Sequence, residues 1–161
     1  METGKRPDDP EAPEVLRAIE DHGLRPHPEG GYYREVHRSE ETVRPADGTG
    51  PVRGAVSVIL FLIPGHVETR WHRVSSCEIW HHAGGAPLLL SFGREAPPET
   101  RELDREAGNC LAIVPAGAWQ RARSLGVFSL ATCTVAPAFD FQDFSLWDAP
   151  GSPFEESTGG T

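Results

Sequence analysis

Residues 52–92 read VRGAVSVILFLIPGHVETRWHRVSSCEIWHHAGGAPLLLSF. Four short apolar or alternating runs, 52–63, 67–74, 77–82 and 87–92, are separated by Pro64-Gly65, Ser75-Ser76 and Gly84-Gly85. Runs of this length, bounded by residues that favour turns, read as β-strands rather than helices. In VSVILFLI (56–63) the apolar character is almost continuous, so this strand is buried on both faces, in mid-sandwich or beneath a second subunit.

The same reading extends outward. Further strands are expected at 32–37, 100–104, 110–114, 119–124 and 127–135, with turns at Asp47-Gly48, Pro97-Pro98, Gly108-Asn109, Ala116-Gly117 and Gly126. Many short strands at close spacing make an all-β sandwich or barrel. The exception lies at 13–22. Pro13 suits a first helical turn, Val15, Leu16, Ala18 and Ile19 follow at helical spacing, and Gly23 ends it, with Leu24 packing back. One domain is expected over 13–150, preceded by a disordered arm (1–12) and followed by a flexible tail (151–161) in which Phe154 is an anchor.

Composition removes several classes of function. The 161-residue chain carries a formal charge of −9 and no basic stripe, which disfavours nucleic acid. Its mean hydropathy is −0.39, and the longest strongly apolar run, 55–63, is far short of the roughly 20 residues a membrane span needs. The segment METGKRPDDPEAPEV lacks the apolar stretch of a signal peptide. Cys77, Cys110 and Cys133 form no CxxC pair, so they read as reduced, buried thiols of a cytoplasmic protein.

Polar chemistry concentrates in two places. Four of the seven histidines, His66, His72, His81 and His82, fall between 66 and 82, among Glu68, Glu78, Trp71 and Trp80. Bulky aromatics desolvate neighbouring titratable groups, which suits a pocket wall. Strand alternation puts His72 with Val74, and Glu78 with Trp80 and His82, so His72 and Glu78 face one interior from strands joined through Ser75-Ser76. The second cluster is HPEGGYYREVHRS (27–39), where Tyr32 and Arg34 share one strand face and Tyr33 and Glu35 the other. A Tyr–Arg pair suits a small, oxygen-rich or anionic molecule.

HPEGGYYRE (27–35), WHRV (71–74), CEIWHHAGGAPL (77–88), VPAGAWQRA (114–122) and CTVAPAFDFQDFSL (133–146) resemble the successive motifs of the fifth cupin family, small jelly-roll proteins often labelled predicted sugar epimerases. The resemblance implies a double-stranded β-helix, the cupin jelly roll, with a pocket in its mouth and a homodimer as the common assembly. The general cupin pattern supplies metal ligands from a His-x-His pair, a Glu and a later His. Carried over, it reaches His72, Glu78 and, where the last histidine belongs, Gln120; Arg70 and Val74 stand where a partner of His72 would be. An amide oxygen is a poor ligand for nickel, iron or zinc, so no metal cofactor is expected. If a divalent transition metal were bound, its ligands would be His72, Glu78 and Gln120.

The resulting expectation is a metal-independent acid–base isomerase, epimerase or related lyase acting on a small polar carbonyl or sugar-like compound. His72, Glu78 and Tyr32 would exchange protons, and Glu29, Arg34, Arg73, Trp80, His82 and Gln120 would bind substrate. Two alternatives are a non-catalytic small-molecule binding cupin and a metal-dependent enzyme. The aromatics of VAPAFDFQDFSLW (135–147) would cap the open end of the sandwich or meet a partner subunit.

Overall fold

Pro13 opens helix α1 (Pro13–His22), and Gly23 closes it in the left-handed conformation at φ 61°. Leu24 then folds back, its backbone N–H donating to the Ile19 carbonyl. In this computed structural model, which describes residues 11–155, α1 is the one α-helix, a short 3-10 turn spans Phe141–Asp143, and strands make up the rest of the regular structure. In chain order they are β1 (Arg25–Pro26), β2 (Tyr32–Arg38), β3 (Thr42–Val43), β4 (Arg53–Gly54), β5 (Ser57–Pro64), β6 (His72–Val74), β7 (Cys77–Gly85), β8 (Leu88–Gly93), β9 (Glu99–Leu103), β10 (Leu111–Val114), β11 (Trp119–Ser124), β12 (Phe128–Ala136) and β13 (Phe144–Leu146).

Two antiparallel sheets pack face to face as a jelly roll. The larger runs β1-β2-β5-β12-β7-β10 and the smaller β13-β6-β11-β8-β9. Alternation puts Leu88, Leu90 and Phe92 of β8 inward, against Phe61, Ile63, Trp80, Ala131 and Cys133 of the larger sheet. Among the described residues, no helix is long and apolar enough to cross a membrane.

The continuous apolar run of β5 has an internal explanation. Phe61 faces the core between the sheets, whereas Leu62 faces the other way and is sealed by Val15 and Leu24 of the helical segment. A helix of the same chain, rather than a second subunit, therefore covers the back of the strand. The expected strand at 67–74 shortens to His72–Val74. Upstream, the backbone spends its hydrogen bonds elsewhere: Thr69 N–H donates to Ala122, and Arg70 N–H to the Glu29 carbonyl at 2.7 Å. The stretch 52–63 divides into β4 and β5, and β13 is an unanticipated strand that pairs with β6.

At the ends of the chain, residues 1–10 of the expected arm and 156–161 of the expected tail lie outside the described residues. The adjoining residues are held. Glu11 accepts from the Tyr32 hydroxyl and pairs with His66, Ala12 packs beside Val15, and Phe154 meets Trp71 edge-on at 5.1 Å.

Candidate active site

His72 and Glu78 come from different sheets. β6 belongs to the smaller sheet and β7 to the larger, so Ser75-Ser76 turns the chain from one layer to the other instead of joining neighbours within one sheet. The two side chains meet across the sandwich on the wall of a cavity of about 370 Å³. They are 2% and 7% exposed, respectively, which removes them from bulk solvent.

The turn His27–Gly31 brings the third member. His27 N–H donates to the Gly31 carbonyl and Gly30 N–H to the His27 carbonyl, reversing the chain into β2. Gly31 has φ 75°, and a Cβ there would stand 2.7 Å from the Leu62 carbonyl oxygen, so only glycine fits. This turn holds Glu29, 5% exposed, with a carboxylate oxygen 2.6 Å from His72 Nε2. On the far side of the ring, His72 Nδ1 lies 2.8 Å from the Arg70 carbonyl, which can only accept, so Nδ1 carries a proton. Burial opposes charge on His72. The Glu29 charge and hydrogen bond, the Glu78 charge and the Arg70 carbonyl together outweigh it, and the imidazole is raised above its ordinary value.

Glu78 is anchored differently. Gln120 Nε2 donates to Glu78 Oε2 at 2.5 Å, and Gln120 Oε1 accepts from Trp80 Nε1 at 2.8 Å. The indole therefore decides which way the amide points. Burial pushes Glu78 up to about 7; Glu29 adds to this, while the His72 charge and the Gln120 and Cys133 hydrogen bonds pull the other way. Beside it, the Cys133 thiol is held well above its ordinary value by burial and the two carboxylates, so it stays protonated. His27 also lines the cavity. Its Nδ1 accepts from Glu29 N–H, and burial, reinforced by His72 and opposed by Glu29, lowers it and keeps it neutral.

The aromatic motif closes this site from its own chain. Phe139 and Phe141 line the cavity, and Phe144 lies 5.8 Å from the His72 ring, centroid to centroid. Asp143 instead pairs with Arg53 at 2.9 Å and is not on the cavity wall.

The sequence over residues 17–147 matches Cupin_5, the Cupin superfamily (DUF985) family. The chain belongs to this fifth cupin family. Among solved structures, this cupin resembles a hypothetical protein from Leishmania major, at 31% identity over 82% of this chain and 86% of that one, with a TM-score of 0.71. It is also similar to a Shewanella oneidensis protein, at 32% identity over 81% and 82% of the two chains and the same TM-score of 0.71. A Bacillus subtilis oxalate decarboxylase shares the fold at 16% identity and TM-score 0.54, over 80% of this chain and 31% of that one. Among curated proteins, none matches the chain.

The cupin metal pattern does not fit the donors this chain presents. Gln120, at the position of the missing imidazole, commits both ends of its amide to Trp80 and Glu78. Among the described residues, no three His, Cys, Asp or Glu side chains are arranged to hold an ion.

Several residues singled out from sequence lie elsewhere. Tyr32 and Arg34 point away from the cavity: the Tyr32 hydroxyl donates to Glu11, and Arg34 Nε donates to the His22 carbonyl at the end of α1. The pairing of β2 with β5 explains this. Residues directly opposite share a face, and Tyr32 is opposite Leu62, which faces the helix, whereas Tyr33 is opposite Phe61, which faces the core. Tyr33 and Glu35 therefore line the cavity. Arg73 stacks on Trp119 at 4.5 Å on the outer side of its sheet. His82 is buried as a structural link, its Nε2 at the Ala86 carbonyl and its Nδ1 accepting from Arg105 N–H. Trp80 and Gln120 lie behind Glu78 and act through it. Of the expected residues, His72, Glu78 and Glu29 are on the cavity wall; Arg25, His27, Tyr33 and Cys133 join them unforeseen.

Proposed function

We propose that this cupin is an acid–base catalyst that moves a proton on a carbon next to a carbonyl in a small polar compound, as an isomerase, epimerase or related lyase does. The observation that carries the reading is the approach of Glu78 and the Glu29–His72 pair to one sheltered cavity from opposite sheets. A carboxyl group titrating near 7 exchanges protons readily at neutral pH. Glu78 takes the proton from carbon through the oxygen that Gln120 does not hold. His72, kept as imidazolium by Glu29 with its two N–H groups held by Glu29 and the Arg70 carbonyl, stabilises the developing enolate through its charge, and Glu78 returns the proton to carbon to release product. Glu29 stabilises the cation, so it orients His72 without itself changing charge.

The reaction as proposed uses no metal, because the amide of Gln120 is already committed. Cytoplasmic location is part of the same proposal, supported by three unpaired thiols, Cys77, Cys110 and Cys133. So is a homodimer, supported by Leu111 and Ile113 on edge strand β10, 43% and 53% exposed; light scattering behind a sizing column tests it, and a monomer at micromolar concentration removes it.

The central test follows exchange of carbon-bound hydrogen in D₂O by proton NMR, over a panel of 2-oxo acids, hydroxyketones and free sugars, with chelator present. At least one compound should exchange faster with protein than without, and Glu78→Gln and His72→Asn should both abolish the gain. No acceleration across the panel, or undiminished exchange in both variants, refutes the proposal. Exchange that disappears with chelator and returns with added metal makes the enzyme metal-dependent.

A further inference from the structure

The charged groups around the cavity differ in how fully they are neutralised. Glu29 is paired with His72 at 2.6 Å, and Glu35 with Arg38 at 2.8 Å. Arg38 makes two hydrogen bonds to that carboxylate and one to the Phe139 carbonyl. Asp140 has Arg53 at 3.8 Å, a guanidinium it shares with Asp143. Glu78 receives Gln120 and titrates near 7. Arg25 is the exception. Among the described residues it has no carboxylate within ion-pair distance, although it lines the same cavity.

Its position is nevertheless constrained. β1 pairs with β2 so that Arg25 stands directly opposite Tyr33, and cross-strand partners present their side chains on the same face. Arg25 Nη2 donates to the Tyr33 hydroxyl at 3.2 Å, and its guanidinium lies over the Tyr33 ring at 5.1 Å. A guanidinium has five N–H donors in a rigid fork, so most remain available. Stacking on Tyr33 removes part of the entropy that a free arginine loses on binding.

From this arrangement we infer that Arg25 is the specificity residue of the cavity and that the natural ligand carries an anionic group, a carboxylate or a phosphate, which Arg25 receives while the rest of the molecule reaches His72 and Glu78. The inference rests on the proposed use of the cavity and names the class of compound that fills it. Besides the charged groups, Tyr33, Phe139, Phe141 and Ile59 give the cavity an aromatic and apolar wall. A flat, weakly polar body therefore suits the ligand. The cavity volume of about 370 Å³ lies at the lower end of the roughly 300–1,000 Å³ typical of small-molecule sites, which limits the ligand to about one ring. In a chain of net charge −9, an unpaired cation on the wall also counters the general repulsion of anions.

Phenylpyruvate and phenylacetone provide the test, because they share a ring and a ketone and differ in the carboxylate. Binding to the full chain is measured by calorimetry at low millimolar ligand, with no need for turnover. Phenylpyruvate should bind at least about tenfold more tightly than phenylacetone, the ratio expected for one charge-assisted hydrogen-bonded contact. Arg25→Met, which keeps the stem over Tyr33, should bring the two within about threefold. Arg34→Met, on the opposite face of β2, should leave the ratio unchanged. Inorganic phosphate should compete in the parent chain and lose that competition in Arg25→Met.

Equal binding of the two probes, a preference that survives Arg25→Met, an equal loss in Arg34→Met, or no detectable binding of phenylpyruvate overturns the inference. Circular dichroism of each variant shows that it is folded, and Arg25→Gln serves in place of Arg25→Met should that chain aggregate. Glu78→Gln separates the two claims. If it stops proton exchange but keeps the tenfold preference, both stand. A preference for phenylpyruvate with no exchange on any carbonyl compound keeps the anion site and removes the catalytic reading.

Discussion

Glu78→Gln should make this protein more stable in alkaline solution, and the amount depends on pH in a calculable way. In the fold, burial raises Glu78 from an ordinary 4.5 to about 7. The folded state therefore holds the proton more tightly than the unfolded chain does. Its favourable contribution is fully present below about 4.5 and is lost as pH rises through about 7. At about 1.36 kcal/mol per pH unit, the full loss is about 3 kcal/mol. Glutamine keeps the shape and never ionises, so it escapes that loss. Part of the gain is returned because the Glu78 charge also helps hold His72 protonated. Melting temperatures of parent and variant, measured by circular dichroism at pH 4.5, 6, 7 and 8.5, form the assay. The difference between them should rise with pH by a total of up to about 6–12 °C, at about 2–4 °C per kcal/mol for a chain of this size. Any constant offset from the new amide cancels in the slope. A flat difference, or one falling with pH, would mean that Glu78 is not a desolvated carboxyl and would remove the basis for its catalytic role.

Three more outcomes follow from the same geometry. Glu29→Gln breaks a buried ion pair and should cost about 3–5 kcal/mol in urea denaturation. Because His72 is raised in the fold, the lost stabilisation is complete below about 6.5 and fades as pH rises through the folded value, so the deficit should narrow in alkali; a deficit that widens there contradicts the pairing. Trp80→Phe removes the donor to Gln120 Oε1 and leaves a buried acceptor unpaired; a loss of about 1–3 kcal/mol is expected in the same denaturation, and no loss would show that the indole bond does not matter. Gly31→Ala combines a positive φ with a Cβ 2.7 Å from a backbone oxygen, and should lower the melting temperature by several degrees, whereas an unchanged melting point would show that the turn relaxes freely.

Local pattern was enough for much of this molecule. Helix α1 occupies 13–22, as proline placement, helical spacing and Gly23 predict. β11 occupies 119–124 as expected, and the sharing of one face by His72 with Val74, and by Glu78 with Trp80 and His82, follows from alternation. These features depend on backbone geometry that repeats every few residues, so neighbours in the chain carry the information. The ordered motifs from HPEGG to FDFQDF added the cupin jelly roll.

Alternation divides a strand into two faces without saying which one the fold buries in the cavity. Tyr32 and Arg34 were separable from Tyr33 and Glu35 by parity, but the choice between the pairs depended on α1 packing behind β5, a contact between distant segments. In the same way, pairing of β1 with β2 put Arg25 beside Tyr33, and the layer change at Ser75-Ser76 set His72 opposite Glu78. The Glu29–His72 bond joins residues 43 positions apart, and Gln120 reaches Glu78 across 42. Which residues can bear chemistry is a property of side chains and is written in the order of the amino acids; which of them share one desolvated space is a property of long-range packing, where each strand's inner face is chosen by what covers its outer one.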